Sequence, residues 1–162
     1  MDEEIWRLFR LWGILHHTVW AIARNRQNEL NEVGTTLMQA ALMVIVKTID
    51  GPVTPSVISR WLFREPQSVS SLLDHMEKKG VIKRVRDLDR RNKVRVVLTD
   101  VGEEIYRSSL EKTVTLREIM SSLTEEEQAN LEKYLLKLRS KALSELGAKP
   151  SLATPVVKSP TT

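Results

Sequence analysis

Residues 54–98 have the sequence TPSVISRWLFREPQSVSSLLDHMEKKGVIKRVRDLDRRNKVRVVL, and its pattern predicts most of the architecture. Thr54 followed by Pro55 is typical of a helix start, because a threonine hydroxyl accepts a hydrogen bond from a free backbone amide and proline fits the first helical turn. Pro66 marks the start of a second helix, which we expect to end at Gly80, since glycine readily adopts the left-handed conformation found at helix ends. The stretch therefore predicts two helices joined by a turn of about three residues, which is the spacing of a helix-turn-helix.

The hydrophobic period changes after the second helix from about 3.6 residues to about 2. Residues 81–85 and 94–98 alternate in polarity and are rich in valine, so we predict two strands. The loop between them, residues 86–93, is polar and charged, and it joins the strands into a hairpin. A hairpin directly after a helix-turn-helix is a wing. The fold class we predict is mainly α with a small β-hairpin wing (α+β), a winged helix-turn-helix.

The second helix of the motif has a polar face suited to the major groove of DNA. Small hydroxyl and amide side chains let the backbone approach closely and offer donors and acceptors to base edges. The candidate base-contacting residues are Gln67, Ser68, Ser70, Ser71 and His75. Asp74 is the one acid on that face, and we place it where a helix angled into the groove begins to leave it.

Positive charge is concentrated around this motif. Residues 60–95 contain eleven lysines and arginines and five acids, a net charge of +6, whereas the rest of the chain sums to −2. A basic centre between mildly acidic flanks is typical of a module that binds a polyanion. Arginine suits the narrow minor groove, and a neighbouring carboxylate can hold its guanidinium in one orientation. The candidate wing residues are Arg86, Asp89, Arg90, Arg91 and Lys93, and the candidate contacts to the DNA backbone are Thr54, Ser56 and Arg64.

The segment before the motif predicts a helix whose apolar face is wider than one neighbour can cover. Its apolar residues recur at spacings of three and four and are Ile5, Leu8, Trp12, Leu15, Val19 and Ile22, with Trp6, Phe9 and Trp20 beside them. The pattern fades at residues 24–27, and we expect Gly34 to close the segment. A second, nearly all-apolar helix is expected to run to about Ile49, with Thr35 or Thr36 as its cap.

The segment after the wing predicts two more helices. We expect one helix to run from Thr99 through Met120, and a capping box at residues 124–127 to open the last one. Apolar residues keep a heptad-like spacing on that last helix, at Leu131, Leu135, Leu138 and Ala142. A helix that is apolar on more than one side needs either a large core or a second chain to cover it. The predicted division is an N-terminal dimerisation helix (1–33), a winged helix-turn-helix DNA-binding domain (34–100), C-terminal dimerisation helices (101–146) and a tail expected to be disordered (147–162).

The composition argues against several classes of protein. The 162 residues contain no cysteine, which excludes disulfides, thiolate metal sites and cysteine-based peroxide sensing. No apolar run approaches the roughly 20 residues of a membrane span, and the acidic N-terminus lacks the basic region of a secretory signal, so we expect a cytoplasmic protein with no membrane partner. His16 and His17 point about 100° apart on a helix and cannot easily share a metal ion. Because no catalytic constellation stands out, we expect no enzyme activity, no catalytic residue, no metal and no cofactor.

The wing and the second helix of the motif resemble those of the MarR family. The wing signature is Asp87-Leu88-Asp89-Arg90-Arg91, followed downstream by Leu98-Thr99-Asp100-Val101-Gly102. Residues 68–82 resemble the recognition helix of the family and its exit into the first wing strand. Thr36 and Gln39 stand where the family often has threonine and glutamine at the opening of the second helix.

This resemblance implies a homodimer in which the first helix and the last two helices of each chain interleave. Two recognition helices about 34 Å apart would then read a pseudo-palindromic site in duplex DNA, with Arg91 as the first choice for insertion into the minor groove and Arg90 as the second. It also implies repression of a nearby promoter and release by a small aromatic or phenolic ligand, in a cleft for which Trp12 and His16 are the candidate lining residues. Packing or dimer contacts are the alternative role for these two side chains. Ser71 departs from the family, where many relatives carry arginine or lysine, so we expect modest affinity or an unusual operator.

A second hypothesis is a winged-helix protein-interaction adaptor without strong DNA binding. Such an adaptor would present an apolar or acidic recognition face, and the sequence shows neither. Phosphate contacts make DNA binding fall steeply with ionic strength, so salt dependence separates the two hypotheses.

Overall fold

A computed structural model describes residues 2–86 and 94–147. In chain order the elements are α1 (Glu3–Glu32), α2 (Leu37–Thr48), α3 (Pro55–Leu62), α4 (Pro66–Lys78), β1 (Ile82–Val85), β2 (Arg95–Leu98), α5 (Asp100–Glu111), α6 (Val114–Met120) and α7 (Glu125–Glu145). The predicted fold class, mostly helical with a small hairpin, is confirmed. The expected disorder of the tail concerns residues that lie outside the described ones beyond Gly147, and the division into domains stays a prediction.

The core of the lobe, which we define as α2 to α5, forms around α2. Leu42, Met43 and Ile45 of that helix are almost completely buried, which explains why its sequence is nearly all apolar. They share one buried cluster with apolar residues of α3, α4, the hairpin and the segments before α3 and β1, namely Val53, Ile58, Val69, Leu73, Met76, Val81, Ile82 and Val96. The helix-turn-helix and the hairpin therefore share one core and hold each other in place.

The hairpin is antiparallel, with Ile82 paired to Leu98 at its base and Val85 paired to Arg95 toward its loop. The amide of Val96 also donates to the Val53 carbonyl at 2.8 Å, so the loop after α2 is hydrogen-bonded to β2. This bond fixes the wing to the connection that precedes α3.

Threonine caps open most of the helices, as the sequence predicts. Thr36 rather than Thr35 caps α2, in a capping box with Gln39. Thr54 accepts from the Val57 amide at the start of α3, and a second capping box at Thr124 and Glu127 opens α7. The glycines expected at helix ends also behave as predicted, with positive φ at Gly34 and Gly80.

The helix predicted from Thr99 through Met120 is wrong as a single element. The chain leaves helical geometry at Lys112 and Thr113 and restarts as α6. The cause lies far away in sequence, because Arg26 donates to the carbonyls of Ser109 and Lys112 and thereby satisfies the end of α5. The hydrophobic pattern of residues 99–120 cannot reveal a cap supplied by another helix, so the break could not be predicted from it.

The first helix is longer than its apolar pattern, since α1 continues through the polar residues 24–27 to Glu32. Its first twenty residues carry large apolar side chains that no part of the described chain covers: Trp6 is 60% exposed, Phe9 64% and Trp20 61%. On α7 the exposed apolar residues are Leu131, Tyr134, Leu135, Leu136 and Leu138. Within the described residues, no helix is long and apolar enough to cross a membrane.

Candidate nucleic-acid interface

The turn between α3 and α4 is tight and is held by one side-chain and one backbone hydrogen bond. Phe63 adopts a left-handed conformation (φ 50°, ψ 44°), which bulky residues rarely occupy. The Ser59 hydroxyl donates to the Arg64 carbonyl at 2.6 Å, and the Arg64 amide donates to the Ser59 carbonyl at 3.1 Å. These bonds set the angle at which α4 leaves α3.

Helix α4 separates its apolar and polar residues as the sequence predicts. Val69, Leu73 and Met76 are buried in the core, and this leaves the opposite face of the helix free. Four of the five predicted base-contacting residues are exposed, while Ser70 is half-buried; the exposed four are Gln67, Ser68, Ser71 and His75. The Ser71 hydroxyl donates to the Gln67 carbonyl within the helix at 3.1 Å.

The acid on this face is neutralised by the wing. Arg84 of β1 places Nη2 2.6 Å from Asp74 and Nη1 2.7 Å from Glu77, and its amide donates to Glu77 at 3.0 Å. Burial lowers the pKa of Arg84, but its hydrogen bonds to the two carboxylates and their charges outweigh burial and raise it above the ordinary value. Arg84 therefore stays charged and joins the wing to the recognition helix. Sequence analysis missed this pair, although the cation and both acids lie within eleven residues of one another.

The start of α5 is also joined to the exit of α4, by hydrogen bonds and close packing. The Thr99 hydroxyl donates to the Gly80 carbonyl at 2.5 Å and accepts from the Gly102 amide at 3.1 Å. Gly102 is buried so closely that an added Cβ would lie 2.0 Å from the Val81 carbonyl oxygen. The leucine-threonine-x-x-glycine pattern thus has a physical role, since it packs the start of α5 against the exit of α4.

The residues predicted to contact DNA from the wing lie only partly within the described part of the chain. Arg86 is exposed at the end of β1. Asp89, Arg90, Arg91 and Lys93 lie outside the described residues.

The predicted backbone contacts flank the N-terminal ends of the two motif helices. Ser56 and Arg64 are exposed, and Thr54 is half-buried with its hydroxyl 3.0 Å from that of Ser56. The Thr54 hydroxyl also caps α3, so only part of its hydrogen-bonding capacity faces solvent.

The two predicted effector residues stack on each other on α1. The Trp12 and His16 rings are 4.7 Å apart and nearly parallel, and the Trp20 ring lies 4.2 Å from that of His16, tilted by 47°. Both tryptophans are more than half exposed, so these rings belong to the uncovered apolar half of α1. Positions 12, 16 and 20 are spaced four residues apart on one helix, and this spacing was the sequence signal that Trp20 lies beside Trp12 and His16.

Comparisons with known proteins agree with this geometry. A model of the MarR family matches residues 33–91. The uncharacterized helix-turn-helix-type transcriptional regulator YsmB of Bacillus subtilis (strain 168) is 29% identical over 126 residues, which cover 77% of this chain and 86% of that protein.

Solved structures resemble the whole fold. The organohalide-sensing transcriptional regulator RdhR, in its 2,4-dichlorophenol-bound form, has a TM-score of 0.75 at 26% identity over 100% of this chain and 91% of that chain. A mutant of MarR from E. coli complexed with operator DNA has a TM-score of 0.73 at 22% identity over 82% of this chain and 95% of that chain.

A helix-turn-helix with an exposed polar second helix, followed directly by an antiparallel hairpin, defines a winged-helix DNA-binding protein. The family model and the relatives fall on this unit and extend to the flanking helices. In this unit the chain is similar to the MarR family of transcriptional regulators.

Proposed function

We propose that the chain is a sequence-specific regulator that binds duplex DNA as a homodimer on a pseudo-palindromic operator. The observation that carries this proposal is the recognition helix, which exposes small polar side chains while Arg84 neutralises the acid on the same face. An adaptor surface would instead need apolar or acidic groups there.

The uncovered apolar residues of α1 and α7 support a second copy as the partner. Side chains as large as Trp6 and Phe9 are costly to leave in water, and burying one contributes about 2 kcal/mol. Homodimers with twofold symmetry use the same patch on both subunits, so one chain can cover the equivalent face of the other. We call α1, α6 and α7 the platform, because they lie outside the DNA-binding lobe and carry these residues.

The contacts to DNA follow from the positions of the side chains. We assign base readout to Gln67, Ser68, Ser70, Ser71 and His75, minor-groove contacts to Arg86, Asp89, Arg90, Arg91 and Lys93, and phosphate contacts to Thr54, Ser56 and Arg64. Serine at position 71 offers a shorter reach than arginine or lysine would, so we expect modest affinity or an unusual operator.

Repression with release by a small ligand is the regulatory mode we propose. The solved RdhR regulator senses organohalides and binds 2,4-dichlorophenol, which supports an aromatic or phenolic effector for this chain. The stacked rings of Trp12 and His16 are the proposed contacts. A ligand bound between the platform and the lobe would favour one separation of the recognition helices over another and so shift the equilibrium away from DNA.

Selection of bound duplexes from a random pool tests the function directly. The expected result is an enriched inverted repeat whose binding falls steeply as salt rises, because phosphate contacts release counterions. Enrichment of no sequence, together with binding that is flat across salt, would instead favour the adaptor.

The Arg91→Ala variant tests the wing assignment. We expect it to bind the selected duplex at least about tenfold more weakly in a mobility-shift assay, since each lost groove contact costs about 1–3 kcal/mol. Sedimentation should show the same dimer as the parent. Equal affinity in parent and variant would refute the role of Arg91.

A further inference from the structure

Three polar residues in the last part of α1 form a cluster that reaches the ends of three other helices. These residues are Arg26, Gln27 and Glu29, which we call the α1 polar cluster. They coincide with the place where the apolar pattern of α1 fades. Glu29 is 5% exposed and Arg26 is also mostly buried, so the cluster is part of the interior.

Arg26 and Glu29 close the break between α5 and α6. Arg26 donates to the carbonyls of Ser109 and Lys112, at the end of a helix that has no basic residue in its last turn. Glu29 accepts from the Thr115 amide at 2.6 Å, at the start of a helix whose N-cap makes no side-chain bond. The two side chains pair with each other at 3.0 Å. Each helix end thus receives from α1 the cap that its own sequence lacks.

Electrostatics at Glu29 agree with this arrangement. Burial alone raises the pKa of its carboxyl group. The hydrogen bonds from Arg26 and from the amides of Thr115 and Leu116, with the Arg26 charge, more than offset burial and hold the pKa below the ordinary value. The pair is therefore ionised in the interior, where a loss of either partner leaves a buried charge without its counterion.

Gln27 performs the equivalent role at the other connection. Its side-chain oxygen accepts from the Leu37 amide at 2.9 Å, in the first turn of α2. Its amide nitrogen donates to Asn31 at 2.7 Å, which holds the side chain in that orientation.

These bonds fall on both covalent connections between the platform and the DNA-binding lobe. The chain enters the lobe through residues 33–36, between α1 and α2, and leaves it through residues 112–113, between α5 and α6. Residues within about one turn of α1 are hydrogen-bonded beside both crossings. Because both crossings are non-helical, their dihedral angles would otherwise be the natural place for the lobe to rotate against the platform.

We propose that Arg26, Gln27 and Glu29 are positioning residues that fix the angle between platform and lobe, and so set the separation at which two recognition helices meet DNA. The inference rests on the homodimer of the proposed function. It predicts that the cluster controls which half-site spacing the dimer accepts, although none of its side chains touches DNA.

Half-site spacing gives a test that a loss of stability cannot imitate. The selected inverted repeat is rebuilt with one base pair added or removed between its halves, which moves one half-site by about 3.4 Å and rotates it by about 35°. The parent should bind the altered duplexes at least about tenfold more weakly, since both recognition helices can no longer engage at once. Arg26→Met should lower this discrimination to about threefold or less, because a mobile connection lets the lobes adjust. The matched control is Arg24→Met, which removes an exposed cation two residues away on the same helix and should keep the preference of the parent.

Each outcome is decisive for one of the two proposals. A parent that binds all spacings equally refutes the dimer with fixed separation, and with it the proposed function. Suppose instead that the parent discriminates and that Arg26→Met changes the affinity for every spacing by the same factor. The ratio of affinities between spacings is then unchanged, the cluster has only a stabilising role, and the inference is refuted. Glu29→Gln supplies a second variant should Arg26→Met fail to fold, because the amide oxygen can still accept from Thr115. Arg26→Lys, which keeps the charge, should restore part of the discrimination.

Discussion

Arg84 provides a sharp test of how the DNA-binding face is built. The Arg84→Met variant removes the guanidinium that lies 2.6 Å from Asp74 and 2.7 Å from Glu77. The net charge of this group beside the recognition helix then changes from −1 to −2. We expect weaker DNA binding even though the account gives Arg84 no contact with DNA.

The size of the loss follows from Coulomb repulsion. A carboxylate about 7 Å from a phosphate is repelled by about 0.6 kcal/mol in water. Arg84 offsets one of the two negative charges, so its loss adds one uncompensated charge in each of two subunits; this costs about 1.2 kcal/mol, which is about eightfold in affinity at low salt. In about 0.1 M salt the Debye length is about 10 Å, so the loss falls to about threefold.

A mobility-shift or anisotropy titration at two salt concentrations measures this effect. Adding Asp74→Asn to Arg84→Met should restore most of the affinity, because the repelling charge is gone. Lys83→Met is the matched control, since it removes an exposed cation from the same strand and should cost much less. If the double variant binds as poorly as Arg84→Met alone, Arg84 acts on DNA itself and the neutralisation account is wrong.

Two further predictions concern the packing of α5 against the exit of α4 and the buried ion pair of α1. Gly102→Ala should destabilise the fold by about 3 kcal/mol or more, because the new methyl group meets the Val81 carbonyl oxygen. The control is Val101→Ala at the exposed neighbouring position, which should cost less than about 1 kcal/mol. Equal urea midpoints for the two variants would contradict this packing. Glu29 has a lowered pKa in the folded chain, so its contribution is fully present above its ordinary pKa of 4.5 and is lost as the pH falls through the folded value. Glu29→Gln should therefore be less stable than the parent by about 3 kcal/mol at pH 7, and this difference should shrink below pH 4.5. If urea unfolding gives the same difference in unfolding free energy from neutral to acid pH, the result would count against the ion pair.

Local signals in the sequence were sufficient for α3, α4 and the hairpin. Thr54-Pro55, Pro66 and Gly80 each act within a few residues of their own position, and the helix boundaries they predict are the ones observed. The alternation that predicts the strands is equally local, and the hairpin forms with Ile82 opposite Leu98.

Features that depend on distant side chains could not be predicted in this way. The break after Glu111 exists because Arg26 and Glu29 cap helices more than eighty residues further along the chain. The helical pattern indicated that Asp74 lies on the predicted DNA-binding face, but only the three-dimensional arrangement places Arg84 against it. The arginines predicted at the wing tip lie outside the described residues, so their contacts remain predictions.

The central claim is that one platform presents two recognition helices to DNA at a fixed separation, and a distance between the two copies tests it most directly. The chain has no cysteine, so Lys78→Cys at the exposed end of α4 gives a single spin-label site in each copy. Pulsed dipolar spectroscopy on the variant bound to its selected duplex should give one narrow distance near about 35 Å, widened only by the label linkers. Absence of any dipolar interaction, or a broad distribution that DNA does not narrow, would contradict the account.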